Sequence, residues 1–321
     1  MQIHRTIASR ALIVALLSVC TAAEAAYPDR PIRMIIAATA GSGPDILARQ
    51  IGTKLTEAWG QQIVVDARPG ATGVVGAEMV AKAAPDGYTL WFATMTQLIG
   101  TTMYQRYMMS KDFAPIGMVA STAFAIAVNA ALPVNNIGEL IAYAKARPGQ
   151  LLYGSSGQGS TSHLCMEMFR SVTGINVTHI PYRGAVPSIA DLMGGQVQLS
   201  CQAVPSLPTF EKTGRLRSLG VTTLTRTVIA PNVPPIAETV PGFEILGWYG
   251  MLAPLRTPKE LISKINSAVL QALKSGEVQE KLVALGAEAD GSSPEAYGAF
   301  LKKETERWAR LLREANIKPT D

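Results

Sequence analysis

Residues 33–60 read RMIIAATAGSGPDILARQIGTKLTEAWG. Arg33 to Ala38 is a short apolar run of strand type. Gly41-Ser42-Gly43 breaks the run, and Pro44 suits a first helical position because an N–H there would have no intrahelical partner. Leu47, Ala48, Ile51, Leu55, Ala58 and Trp59 then share one helical face, and Gly60 can take the left-handed conformation that ends such a helix. Strand, Gly/Ser loop, helix: that order is the building unit of a parallel α/β sheet.

The unit repeats outward from this stretch. Gln62 to Val65 reads as a second strand, Gly73 to Ala84 as a helix closed by the turn Pro85-Asp86-Gly87, and Thr89 to Ala93 as a third strand. A second series follows. Ile116 to Val128 is a long apolar strand, Ile137 to Ala146 a helix, and Leu151 to Gly154 a strand that runs into the loop Ser155 to Ser160. His163 to Val172 is helical, with strands at Val177 to Ile180, Val197 to Cys201 and Leu216 to Val221, and a short helix at Pro187 to Met193. The tail is helical: Thr257-Pro258-Lys259-Glu260 reads as a capping box, and Ser293-Pro294 opens a last helix whose Tyr297, Phe300, Leu301, Trp308 and Leu311 form an apolar stripe. Two series of 321 residues in all imply two α/β lobes joined by crossing strands, with the tail returning to the first lobe.

The first residues are of export type. Arg5 and Arg10 precede the uncharged apolar run Ala11 to Val19, and Ala23-Glu24-Ala25 fits a small-x-small cleavage pattern, so residues 1–25 read as a signal peptide and Ala26 as the mature N-terminus. Cys20 offers lipidation as the alternative, against which the bulky Val19 argues. Two further cysteines, Cys165 and Cys201, read first as two buried thiols, with a disulfide in an oxidising compartment as the alternative. Lys and Arg exceed Asp and Glu by only 29 to 24 and are scattered, so no nucleic-acid surface is indicated.

Two loops carry the chemistry, Ala40-Gly41-Ser42-Gly43 and Ser156-Gly157-Gln158-Gly159-Ser160-Thr161. Each lies between a strand and a helix start, where free N–H groups and the helix dipole suit an anion and hydroxyls add donors. Enzyme readings fail one by one. Gly41-Ser42-Gly43 begins a dinucleotide fingerprint, yet Ile46 occupies the third glycine position. No Gly-Lys-Ser/Thr follows a glycine loop, and Gln158 spoils the nucleophile elbow in Gly154-Ser155-Ser156-Gly157-Gln158. His163 and His179 lack partners at metal or triad spacing and read as capping or core residues. A hydrolase is therefore the weaker alternative to a non-catalytic binder, and no metal or cofactor is expected.

Beyond these loops, several motifs are shared with a known family. They are Tyr27-Pro28-Asp29-Arg30-Pro31, Arg68-Pro69-Gly70-Ala71, Pro85-Asp86-Gly87-Tyr88-Thr89, Tyr153 to Ser160 with His163-Leu164, Pro181-Tyr182-Arg183-Gly184, Gly194-Gly195-Gln196-Val197 and Trp248-Tyr249-Gly250. With them the chain resembles the substrate-binding proteins of tripartite tricarboxylate transporters, the Bug family. The resemblance implies a type II periplasmic-binding-protein (Venus flytrap) fold, each lobe a mainly parallel sheet flanked by helices. It places residues 26–126 and 247–321 in one lobe and 127–246 in the other. It implies a monomer that binds a small carboxylate in the periplasm for a transporter's membrane subunits, or alternatively for a sensor kinase. Ligand contacts are expected from Thr39, Ala40, Gly41, Ser42 and Gly43, from the loop at Thr94, Met95 and Thr96, and from Ser156, Gly157, Gln158, Ser160 and Thr161. Arg183 and Gln202 complete the set. The family often places Asp where Gln202 stands; a neutral amide there favours a carboxylate without an α-amino group, a di- or tricarboxylate or an aromatic acid.

Overall fold

The computed structural model describes residues 27–38, 40–69, 73–204 and 207–314. The expected signal peptide, residues 1–25, lies outside the described residues. The first unit forms as the pattern requires: β1 (Ile32–Ile36), α1 (Gly43–Trp59) with Pro44 in its first turn, and Gly60 at φ 67° closing it. Next come β2 (Ile63–Ala67), α2 (Val74–Ala81), β3 (Thr89–Thr94), α3 (Met95–Tyr104) and the single turn α4 (Met109–Asp112). The long strand β4 covers Phe113–Asn129. The second series is α5 (Ile137–Lys145), β5 (Leu151–Ser155), α6 (Thr161–Thr173), β6 (Val177–Pro181), α7 (Ala185–Met193), β7 (Leu199–Ala203), α8 (Leu207–Glu211) and β8 (Leu216–Val221). The chain ends in β9 (Leu246–Pro254), α9 (Lys259–Ala272), α10 (Gly276–Ala284), β10 (Ala287–Ala289) and α11 (Pro294–Glu314).

One strand belongs to both halves of the sheet. Phe113 to Ala123 of β4 pairs antiparallel with β9, and Phe124 to Val128 pairs antiparallel with β7. β1 and β3 are parallel, β3 is antiparallel to β9, and so β1 and β3 run in the direction of β4. β7, β5 and β6 are mutually parallel and run against it. The carboxyl ends of the two parallel sets therefore point at each other across the middle of β4. Thr94, ending β3, lies across Tyr249 from Ala120, whereas Ala203, ending β7, lies opposite Phe124. Four residues of strand separate these positions, about 13 Å at the usual rise. Connections after β1, β3, β5, β6 and β7 thus converge on one cleft.

Each half has its own apolar filling. Leu47, Ala48, Ile51 and Leu55 of α1 pack with Ile265 and Val269 of α9 on one face of the first half-sheet. Trp91, Trp248, Tyr297, Leu301 and Trp308 fill its other face under α11. In the second half, Ile189 and Leu192 of α7 pack on Ala125 and Val221. Each fully buried large side chain of this kind stabilises by roughly 1.5–3 kcal/mol.

The first half-sheet combines the parallel set β2-β1-β3 with the antiparallel pairing of β9 and β4. Two local expectations are corrected. Thr94 to Gln97 is not a loop: α3 starts directly at Met95, and the Gln97 amide oxygen accepts the Thr94 N–H at 2.6 Å. The capping box at Thr257 does not form, since the Thr257 hydroxyl donates back to Pro254 O at 2.8 Å and Pro258 is the cap residue.

Candidate ligand-binding site

The loop after β5 folds around its own hydroxyls. The N–H of Ser156 donates to Ser162 Oγ (2.9 Å), that of Gly157 to Ser155 Oγ (3.1 Å), that of Gly159 to His163 Nδ1 (3.0 Å) and that of Ser160 to Gly157 O (3.2 Å). Gly157 and Gly159 hold φ of 129° and 72°, values that side-chain-bearing residues rarely adopt. Ser160 caps α6 by accepting the His163 N–H. Among the described residues, no acceptor takes the N–H groups of Gln158, Thr161 and Ser162. These three, with the Thr161 hydroxyl, are what the loop offers an anion. The resemblance motif quoted earlier includes His163, but Ser162 and His163 were not among the expected contacts. Both are buried under the loop, at 4% and 3% exposure, and shape it from below.

The loop after β1 is built differently. Its Gly41 N–H donates to Asp45 Oδ2 at 2.8 Å, and Asp45, buried in the first turn of α1, pairs with Arg49 at 3.0 Å. Burial opposes the charge on Asp45, but the Arg49 and Gly41 hydrogen bonds outweigh it and hold the carboxyl below its ordinary range. Ile46 N–H returns to Ser42 O at 2.9 Å, and Pro44 has no N–H. The N–H groups of Gly43 and Asp45 remain, again without an acceptor among the described residues. Ala40 and Gly41 are exposed, Ser42 and Gly43 half-buried, and Thr39 lies outside the described residues.

Other expected contacts divide. Thr96 is half-buried at the start of α3, but Met95 is packed into the core at 2% exposure, so only its backbone can face the cleft. Gln97 is structural: its amide nitrogen donates to Ala37 O at 3.1 Å, tying the end of β3 to the loop after β1. Arg183 is exposed beside loop 155–161, whose neighbour Tyr182 donates its N–H to Ser155 O at 3.0 Å. Gln202 is buried on β7 opposite Ala125. Ser200 Oγ gives its hydrogen to Gly154 O at 2.6 Å, so the Gln202 group 2.8 Å away must be the donating Nε2, and Oε1 alone is left to receive a partner. Gln202 thus presents an acceptor only, not the mixed donor and acceptor expected from its type.

Tyr249 was missing from the expected contacts. It sits on β9 between Thr94 and Ala120 and stacks on Phe92 at 6.1 Å. Its hydroxyl lies 3.6 Å from where a Cβ on Gly43 would stand, and no hydrogen-bond partner satisfies it among the described residues. Burial raises its pKa, so it is a donor at neutral pH.

Two helix starts with amides left over thus face each other across the middle of β4. Residues 47–317 match the family model described as tripartite tricarboxylate transporter family receptor. The chain belongs to this receptor family. A relative from Pseudomonas sp. strain P51, described as the UPF0065 protein in the tcbD-tcbE intergenic region, is 35% identical over 91% of this chain and 88% of its own length. Among solved structures, Rpa4515 of R. palustris with adipate is 35% identical, with TM-score 0.74, covering 92% of this chain and all of that one. The periplasmic binding protein BugD is 33% identical (TM-score 0.72, coverage 91% and 99%), and MatC from Rhodopseudomonas palustris with bound malate 26% (0.73, 89% and 100%). As a family receptor the protein is a periplasmic solute-binding protein of two-lobed fold and not an enzyme. The pair that most resembles catalytic machinery, Ser155 Oγ and His179 Nε2 at 2.6 Å, fits that conclusion, because Ser155 is fully buried and accepts the Gly157 N–H.

Among the described residues no helix is long and apolar enough to cross a membrane, and no three metal-ligating side chains come together. Cys165 of α6 and Cys201 of β7 are joined by a disulfide, which resolves the alternatives left open by their spacing.

Proposed function

We propose that the protein captures a small carboxylate between loops 40–43 and 156–161 and delivers it to the membrane subunits of a tripartite tricarboxylate-type transporter. The observation that carries this is the pair of unengaged amide sets, Gly43 and Asp45 on one side and Gln158, Thr161 and Ser162 on the other. One carboxylate at each set makes a dicarboxylate the best fit, with tricarboxylates and aromatic acids as further members of the class. The Tyr249 hydroxyl adds a donor at the first set. The Gln202 amide oxygen favours a ligand hydroxyl or a bridging water over a third carboxylate, and being neutral it is a poor sole partner for an ammonium group in a half-buried cleft. The adipate and malate in the two R. palustris relatives support the same class.

The lobes we propose are 26–126 with 247–321, and 127–246, closing about mid-β4 in a monomer exported by cleavage after Ala25. A thermal-shift panel tests the ligand class: succinate against aspartate, 2-oxoglutarate against glutamate, with adipate, malate and benzoate beside them. A ligand at about 100 times its Kd stabilises by roughly 2.7 kcal/mol, enough to read as a melting shift. Shifts with the dicarboxylates support the reading; shifts with only the amino acids contradict it.

A further inference from the structure

Beneath loop 155–161 lies a stack of three rings, with Tyr153 and His163 buried and His179 half-buried. His163 of α6 stacks on His179 of β6 at 4.1 Å and 16°, and Tyr153 of β5 stacks on His179 at 4.8 Å. Tyr153 donates its hydroxyl to Glu167, which Arg170 also holds, at 2.6 and 2.8 Å. His163 Nε2 is 4.0 Å from Glu167 Oε1. On the loop side, His163 Nδ1 receives the Gly159 N–H, and His179 Nε2 meets the Ser155 hydroxyl that itself receives the Gly157 N–H. The loop's two left-handed glycines are thus fixed by the two imidazoles, one directly and one through a serine.

The Gly159 contact fixes the state of the ring. An amide N–H only donates, so Nδ1 must offer a lone pair and the imidazole must be neutral with its proton on Nε2. We infer that His163 is a positioning residue for ligand capture: its unprotonated Nδ1 holds the Gly159 amide back, so that the flanking amides of Gln158 and Thr161 stay turned to the cleft. A protonated His163 cannot accept that hydrogen bond, and its charge would lie against the stacked His179 and near Arg170, with Glu167 as the one opposing carboxylate. Burial holds both imidazoles below their ordinary range, His179 at about 4, where the neighbouring His163 adds to the effect. The unfolded histidines take up protons near 6.5. Stability from the pair is therefore complete above about 6.5 and declines as the pH falls toward the folded value.

This inference rests on loop 155–161 being the anion-binding loop, and the test separates the two. In unliganded protein, nitrogen-15 NMR of the histidine side chains reads the tautomer directly: His163 should show a lone-pair Nδ1 coupled to the Gly159 amide. A protonated Nδ1 at neutral pH overturns the inference whatever binds. In the second arm adipate is titrated into wild type, His163→Ala, His163→Asn and His163→Gln between pH 8 and 5.5. Asn can place an acceptor near the Nδ1 position and does not titrate; Gln mimics the other nitrogen. We expect Ala and Gln to bind about tenfold more weakly and Asn to stay within about threefold of wild type at pH 8. Equal affinity of wild type and Ala, or a loss in Asn as large as that in Ala, overturns the inference. If adipate fails to bind wild type, the ligand assignment fails and the NMR arm still decides on His163.

Discussion

The two proposed binding loops begin from the same sequence pattern and are held in different ways. Loop 40–43 is tied by a charge: the Asp45 carboxylate, neutralised by Arg49, takes the Gly41 amide. Loop 155–161 is tied by neutral groups, the hydroxyls of Ser155, Ser160 and Ser162 and the imidazole of His163. An anion approaching the first helix start meets a carboxylate beside the positive end of the dipole; one approaching the second meets none. The lesson is that a Gly/Ser loop before a helix does not state its own capacity. The loop first satisfies itself, and only the amides left over are available. On that reckoning we expect loop 155–161 to carry the larger share of anion affinity.

The largest expected break in the comparison concerns stability. A disulfide pins α6 to β7 under the second loop, and no counterpart is described under the first. Replacing both Cys165 and Cys201 with Ala opens a loop with a sequence separation of 36 residues. Chain-entropy reasoning puts the loss at about 4 kcal/mol. Denaturant unfolding measures it, and an unchanged midpoint would mean that the bridge contributes little.

A smaller pair of effects concerns affinity and has opposite signs. Ser162→Ala removes the acceptor of the Ser156 amide and should weaken dicarboxylate binding about tenfold. Asp45→Asn keeps an acceptor for Gly41 but deletes the negative charge, and should tighten binding about two- to threefold at low salt, less at high salt. Calorimetric titration with adipate reads both. Weaker binding in Asp45→Asn would show that the charge fixes the loop more than it repels the ligand.

Much of this was legible in the sequence, and the gaps have physical causes. β1, α1 with Pro44 and Gly60, the long β4 and the loop before α6 follow from periodicity and from Gly and Pro placement. β9 was not read as a strand because it is buried on both faces and shows no alternation from Leu246 to Pro254. With β9 went Tyr249. α3 was read as a loop because its residues, Met95 to Tyr104, include three threonines and a glycine of low helix propensity, and the capping-box signature Thr94-x-x-Gln97 was passed over. Ser162 and His163 went unlisted because their part in the site is to receive loop amides from below, a role set by three-dimensional placement. Gln202 was placed by the resemblance, but its orientation was not legible, because the Ser200 hydroxyl decides which end of its amide is presented.

The central claim is that a carboxylate ligand is held by the amides these loops leave over. Amide NMR of the isotopically labelled protein during an adipate titration tests it most directly. The account predicts that the N–H signals of Gln158, Thr161 and Ser162 move furthest, those of Gly43 and Asp45 less, while Gly157 and Gly159, already bonded to Ser155 and His163, keep their positions. Saturable binding that leaves Gln158, Thr161 and Ser162 unmoved would contradict it.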